Sequence, residues 1–409
     1  MVKLHFNYKD LFRSARLAFS IQRVWINFVG LVVGFVVYDV LTYVSFLAAG
    51  KGFVPMWERF GLFPCLYGIG GPWYSWLIFW VGVILLIAIL LLTNTAVSRA
   101  VYMNLKGETF YTWKEAFGFS LKRWGSVLAA PTAIIGIIAF FVVGAIIMGL
   151  IGRIPYVGEL GTAFMTIFYM SSALFVFFLI LVLGVALFFV PSIIATTNED
   201  AFEAVFQSFS ISTGQPWRII GYGVVVAVIE ILAFVILAWA VKEAFLIFNF
   251  LFVIGMGPKF LDLMNNGLAL VQSWVYPTFN WIQYAFGSLS QYFYFARDFV
   301  PKEVPVVMEI SAWIFAISML AVGVLVVAYA EATGNAGVTL MYLVMRKHQD
   351  DENLLERKEE EEEEEETEET AGESEEKEEA KTEEGEPKAS DESATDDAEK
   401  QASDENKKE

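Results

Sequence analysis

Two carboxylates stand where carboxylates are costly. Asp39 lies in the run Val24–Ala49 and Glu230 in the run Ile219–Ala240, and both runs are otherwise apolar. An ionised acid near mid-bilayer costs at least a few kcal/mol, so it normally faces a bundle interior or a watery cavity. Such a pair can bind a proton, an inorganic cation or a cationic solute. The plainer alternative is a neutral acid that only packs, held by neighbours such as Tyr38 or Thr42. Glu331, with Gly334-Asn335-Ala336-Gly337, reads as a flexible exit from the membrane, or else as a broken helix lining a site.

Other chemistries find few candidates. His5 and His348 both fall outside the apolar runs, and Cys65 is the single cysteine. No internal disulfide can form. Without histidine in the apolar runs, neither a His-ligated haem or zinc site nor an intramembrane Ser-His pair can be assembled there. Gly68-Ile69-Gly70-Gly71 follows no strand pattern, so it does not read as a nucleotide loop. The expectation is no catalytic set, no metal and no cofactor, with Asp39 and Glu230 as candidate ion or solute ligands.

The elements that must position these residues are long. Of 409 residues, 56% are hydrophobic and 16% aromatic. Several runs reach the roughly 20 residues needed to cross about 30 Å of hydrocarbon. Six spans are expected: Val24–Ala49, Trp73–Leu92, Val127–Gly149, Ala163–Pro191, Ile219–Ala240 and Val306–Ala330. The fold class is all-α, a polytopic helical membrane bundle. Lys242-Glu243 should interrupt the fifth span, and Phe245–Gly257 is too short to cross, so it extends that helix or dips into the interface. The aromatic segment 258–304 reads as one or two interfacial helices on the outer face.

Between the spans lie amphipathic pieces. Residues 1–23 carry Lys3, Lys9, Arg13, Arg16 and Arg23 among apolar side chains, which suits a helix in the headgroup plane. The first apolar run is too long for a secretory leader. Thr112/Glu115 and Thr196/Glu199 have capping-box spacing and predict two short helices. Phe19-Ser20, Phe119-Ser120 and Phe209-Ser210 each precede a tryptophan, Trp25, Trp124 and Trp217, just before an outward-going span. That pattern predicts three units, each an interfacial helix followed by a two-span hairpin. A threefold arrangement would pack spans one, three and five around a centre, and so bring Asp39 toward Glu230.

The charge divides the chain. Residues 350–409 hold 30 acids and 8 bases, whereas the remainder holds 16 acids and 20 bases. Two domains follow: a helical transmembrane domain, 1–349, and a disordered acidic cytoplasmic tail, 350–409. Neither reads as a nucleic-acid binder. With the N-terminus inside, the inner side collects 13 Lys and Arg and the outer side 7. That bias places both termini in the cytoplasm of a cytoplasmic (inner) membrane protein.

One stretch carries a resemblance. Val190-Pro191-Ser192-Ile193-Ile194-Ala195 leads into Asp200-Ala201-Phe202-Glu203-Ala204-Val205, then Ser208-Phe209-Ser210 and Pro216-Trp217-Arg218-Ile219-Ile220. This resembles uncharacterised six-span bacterial membrane proteins related to the membrane domain attached to some glycerophosphodiester phosphodiesterases. In them a proline closes a span, a short acidic helix follows, and a tryptophan-basic pair opens the next span. The ending Tyr342-Leu343-Val344-Met345-Arg346-Lys347 is similar to theirs as well. No stretch could build the phosphodiesterase domain, so the resemblance implies a helical accessory role and no reaction. Two functions are expected in order. The first is a non-enzymatic scaffold, assembly or accessory protein whose partners are the lipid bilayer and a protein docked on the acidic tail. The second is a transporter or lipid-handling carrier using Asp39 and Glu230.

Overall fold

The computed structural model describes residues 4–108, 110–286 and 299–356, the side chains of 276–286 excepted. Among these residues the structure is helical, without strands. Two short helices, α1 (Tyr8–Leu11) and α2 (Ser14–Ala18), precede α3 (Ile21–Ala48), α4 (Phe53–Phe60) and α5 (Trp73–Lys106). Then come α6 (Trp113–Lys122), α7 (Trp124–Ile151), α8 (Val157–Phe164) and α9 (Thr166–Thr197). Last are α10 (Ala201–Gly214), α11 (Pro216–Met256), α12 (Pro258–Phe286) and α13 (Val306–Asp350). Six of these, α3, α5, α7, α9, α11 and α13, are long and apolar enough to cross a membrane, which makes this a multi-pass membrane protein.

The chain order repeats three times. A short helix (α2, α6, α10) leads into a long one (α3, α7, α11), a connecting helix follows (α4, α8, α12), and a second long helix closes the unit (α5, α9, α13). Within each unit the two long helices pack on each other. The centre differs from expectation. α5, α9 and α13, the second long helix of each unit, pack together, with α3, α7 and α11 outside them. Packing follows side-chain size: the inner ends of the second helices carry small residues that let three backbones converge. Examples are Thr95, Ala96 and Ser98 on α5, Ser192 and Ala195 on α9, and Gly334, Ala336 and Gly337 on α13, nearly all fully buried.

Several helices run on where the sequence predicts a stop. α9 continues through Pro191 to Thr197, because Ser192 and Ile193 offer their carbonyls to the hydroxyls of Thr196 and Thr197 inside a buried helix end. Thr196 is therefore no cap, and Asp200 takes that role for α10 by accepting the Glu203 amide at 2.8 Å. α11 passes Lys242-Glu243 unbroken to Met256. α13 passes Glu331-Ala332-Thr333-Gly334-Asn335-Ala336-Gly337 without a break, since burial on all sides compensates the poor helix propensity of glycine and asparagine. The N-terminal segment, by contrast, is two short helices rather than one. The Thr112/Glu115 box forms as the spacing predicts: the Thr112 hydroxyl accepts the Glu115 amide at 3.3 Å, and the Glu115 carboxylate accepts the Thr112 amide at 2.6 Å.

The packed unit ends at Glu356. Leu354 and Leu355 are buried, and the Tyr102 hydroxyl donates to the Leu354 carbonyl at 2.8 Å. Lys347, by hydrogen bond and charge, holds the Asp351 carboxyl below the usual range for an aspartate. The acidic tail beyond Glu356 and the aromatic side chains from Tyr276 to Phe295 lie outside the described residues.

Candidate functional site: a polar centre where three helices converge

The two sequence-chosen acids occupy different surroundings. Asp39 is on α3, one turn before Tyr43. Tyr43 belongs to an outer cluster with Phe46, Leu66 and Phe79, and its hydroxyl donates to the Gly61 carbonyl. The neighbours expected to hold Asp39 are otherwise engaged. The Tyr38 hydroxyl donates to the Pro64 carbonyl at 2.6 Å, and the Thr42 hydroxyl donates to the Tyr38 carbonyl at 2.8 Å. The buried Asp39 Oδ1 has no hydrogen-bond partner among the described residues.

Glu230 faces inward from α11 onto α13. Its Oε2 lies 2.6 Å from the point where a side chain on Gly334 would begin, so the carboxylate fills the space that glycine leaves. Glu331 lies one turn earlier on the same helix as Gly334. Glu230 thus packs onto α13 near the turn that carries Glu331, whereas Asp39 sits on α3, and α3 and α11 both lie outside the central trio.

Sequence reasoning missed the groups at the centre itself. Ser98 on α5, Ser192 on α9 and Thr339 on α13 meet there, with Ser98 Oγ and Thr339 Oγ1 each 3.3 Å from Ser192 Oγ. One hydroxyl comes from the second long helix of each unit. One turn along α13 from Thr339, the Asn335 amide donates to Asn94 Oδ1 at 2.9 Å and to Asn27 Oδ1 at 3.4 Å. One turn the other way, the buried Tyr342 hydroxyl is hydrogen-bonded to Gln207, whose amide donates to Glu199 at 3.1 Å and Glu203 at 2.9 Å. Glu331, Asn335, Thr339, Tyr342 and Arg346 thus form one stripe of α13 at spacings of three and four. Arg99 closes the centre from α5. Its Nη1 donates to the Ala195 carbonyl at 3.0 Å, and its guanidinium lies 4.4 Å from the Phe119 ring centroid. Neighbouring Tyr111 is pushed above the usual tyrosine range by burial, an effect opposed by Arg99.

Chemically, this arrangement is a largely buried series of separate hydrogen-bonded groups along α13, with Glu331 at one end of the stripe and Arg346 at the other. The carboxylates can hold a proton or a cation, and the hydroxyls and amides can orient helices. Among the described residues no three His, Cys, Asp or Glu side chains converge as metal ligands would. A readable signal was present. Small polar residues recur at the end of each second helix: Thr93-Asn94-Thr95 and Ser98, Ser192 and Thr196-Thr197, Thr333 and Asn335 with Thr339.

These features define a multi-pass helical membrane protein built of three four-helix units around a polar centre. No protein-family model matches the chain, and no curated protein or solved structure matches it.

Proposed function

We propose that the protein is a non-enzymatic scaffold or accessory protein of the cytoplasmic membrane, with both termini in the cytoplasm. The observation that carries this reading is the hydroxyl junction Ser98–Ser192–Thr339, flanked by Asn27–Asn335–Asn94. Such buried ladders fix how helices are placed relative to one another, and that suits a platform better than a moving carrier. The resemblance to membrane domains fused to phosphodiesterases agrees with an accessory role. In this reading the acidic segment that follows Glu356 docks a basic protein partner. Removing residues 357–409 should strip that partner from the purified protein while thermal stability is kept. An unchanged set of co-purifying proteins would remove the docking role.

A second reading, a proton-coupled or lipid-handling carrier, is favoured by one observation: the Glu230 carboxylate seated against Gly334 near Glu331. It predicts proton movement in vesicles containing the purified protein and a pH-sensitive dye. Glu230→Gln with Glu331→Gln should abolish that movement, and Asp39→Asn should not. Traces identical for wild type and the double variant would eliminate the carrier.

A further inference from the structure

Beside the polar centre, a groove opens between α11 and the N-terminal arm. Its volume is about 650 Å³. One wall is the stripe of α11 from Val224 to Ala240, and the other is Phe12, Ala15, Phe19 and Tyr329. The arm is fixed as part of that wall. The Tyr329 hydroxyl donates to the Ala15 carbonyl at 3.3 Å, and the Phe19 ring stands edge-on to the Tyr329 ring with centroids 5.7 Å apart. The groove is thus made by folding and is more than a gap between neighbouring spans.

We propose that this groove holds one acyl chain of an anionic phospholipid. Its length and apolar lining suit the occupant. At about 1.5 Å per residue, the α11 stripe is about 24 Å long, within the roughly 30 Å of a bilayer's hydrocarbon. A polymethylene chain laid along that stripe would meet almost only apolar side chains.

Charge selects the headgroup. Arg16 follows the wall residue Ala15 and is exposed, as is Lys9 one helix earlier. Arg218, in the first turn of α11, is exposed too, with its Nη1 donating to Gln215 at 3.1 Å. The nearby acid on the arm, Asp10, is buried and ion-paired with Arg13 at 3.6 Å, so it does not offset them. Exposed cations on the two elements that wall an apolar slot favour a phosphate-bearing lipid of net negative charge over a zwitterionic one.

The test uses the full-length protein in detergent, given equal amounts of dioleoyl-phosphatidylglycerol and dioleoyl-phosphatidylcholine and examined by native mass spectrometry. Wild type should retain one phosphatidylglycerol with about tenfold preference. Val228→Trp, at a half-exposed groove position, should lose that lipid by filling its space. Arg16→Gln should still bind one lipid but without preference. Equal retention of the two lipids by wild type would mean annular lipid only and would overturn the proposal. So would a retained lipid that survives Val228→Trp, or a dimer that Val228→Trp abolishes. Should Val228→Trp fail to fold, the Arg16→Gln comparison decides, since preference unchanged in that variant also overturns the proposal.

Discussion

At the scale of single residues, two close approaches and one amide bear the most weight. A side chain added at Gly30 would overlap Thr93, with its first carbon 2.7 Å from Thr93 Cβ. Thr93 is β-branched, sits mid-helix and has little freedom to yield. Gly30→Ala should therefore cost about 1–3 kcal/mol, the range for overpacking, read as a loss of thermal stability in detergent. Gly334→Ala presents a different case, because it meets the movable end of Glu230. Its cost should be smaller, and Glu230→Ala in the same chain should largely relieve it. Equal costs with and without Glu230 would show that the carboxylate is not where the structure has it. Asn335 donates to both Asn27 and Asn94, so Asn335→Leu leaves one buried and one half-buried acceptor unpaired and should cost about 1–3 kcal/mol. Replacing all three asparagines by leucine should cost less than the sum of the single changes. Asp39 and Glu230 were legible because a charge inside a long apolar run is conspicuous. The asparagines and hydroxyls were not, because neutral small residues at a helix end look like interface until the helices they join are known.

At the scale of elements, capping spacing was legible where the helix start is local, as with Thr112 and Glu115. It misled at Thr196, where the preceding helix claims the residue. Proline and glycine were overread as stops. Local propensity disfavours a helix at Gly334-Asn335-Ala336-Gly337, yet a helix surrounded by others takes its stability from packing. Such surroundings cannot be seen in the run itself. Two truncations test the end of α13. Ending the chain after Glu356 should leave the unfolding temperature unchanged. Ending it after Gln349 deletes buried Leu354 and Leu355 and the partner of Tyr102, and should lower stability by several kcal/mol, at about 1.5–3 kcal/mol per buried leucine. A weaker cap test is Asp200→Ala, which removes the acceptor for the Glu203 amide and should cost about 1 kcal/mol.

At the scale of the whole molecule, the span count and the three-unit order were legible from hydropathy and the recurring Phe-Ser and tryptophan pairs. Which helices form the centre was not. Span order says which helices are neighbours in sequence, whereas the centre is chosen by where small residues allow three backbones to approach. That choice put α5, α9 and α13 inside and left Asp39 and Glu230 on different outer helices. The three second helices therefore converge at Ser98, Ser192 and Thr339, and that junction organises the bundle. The most direct test puts cysteine pairs into a Cys65→Ser background, oxidises membranes and reads the cross-links on gels. Cysteines at 98 and 192, and at 192 and 339, should cross-link efficiently, whereas cysteines at 39 and 230 should not. Efficient cross-linking of 39 to 230, with none between 98 and 192 or 192 and 339, would contradict it.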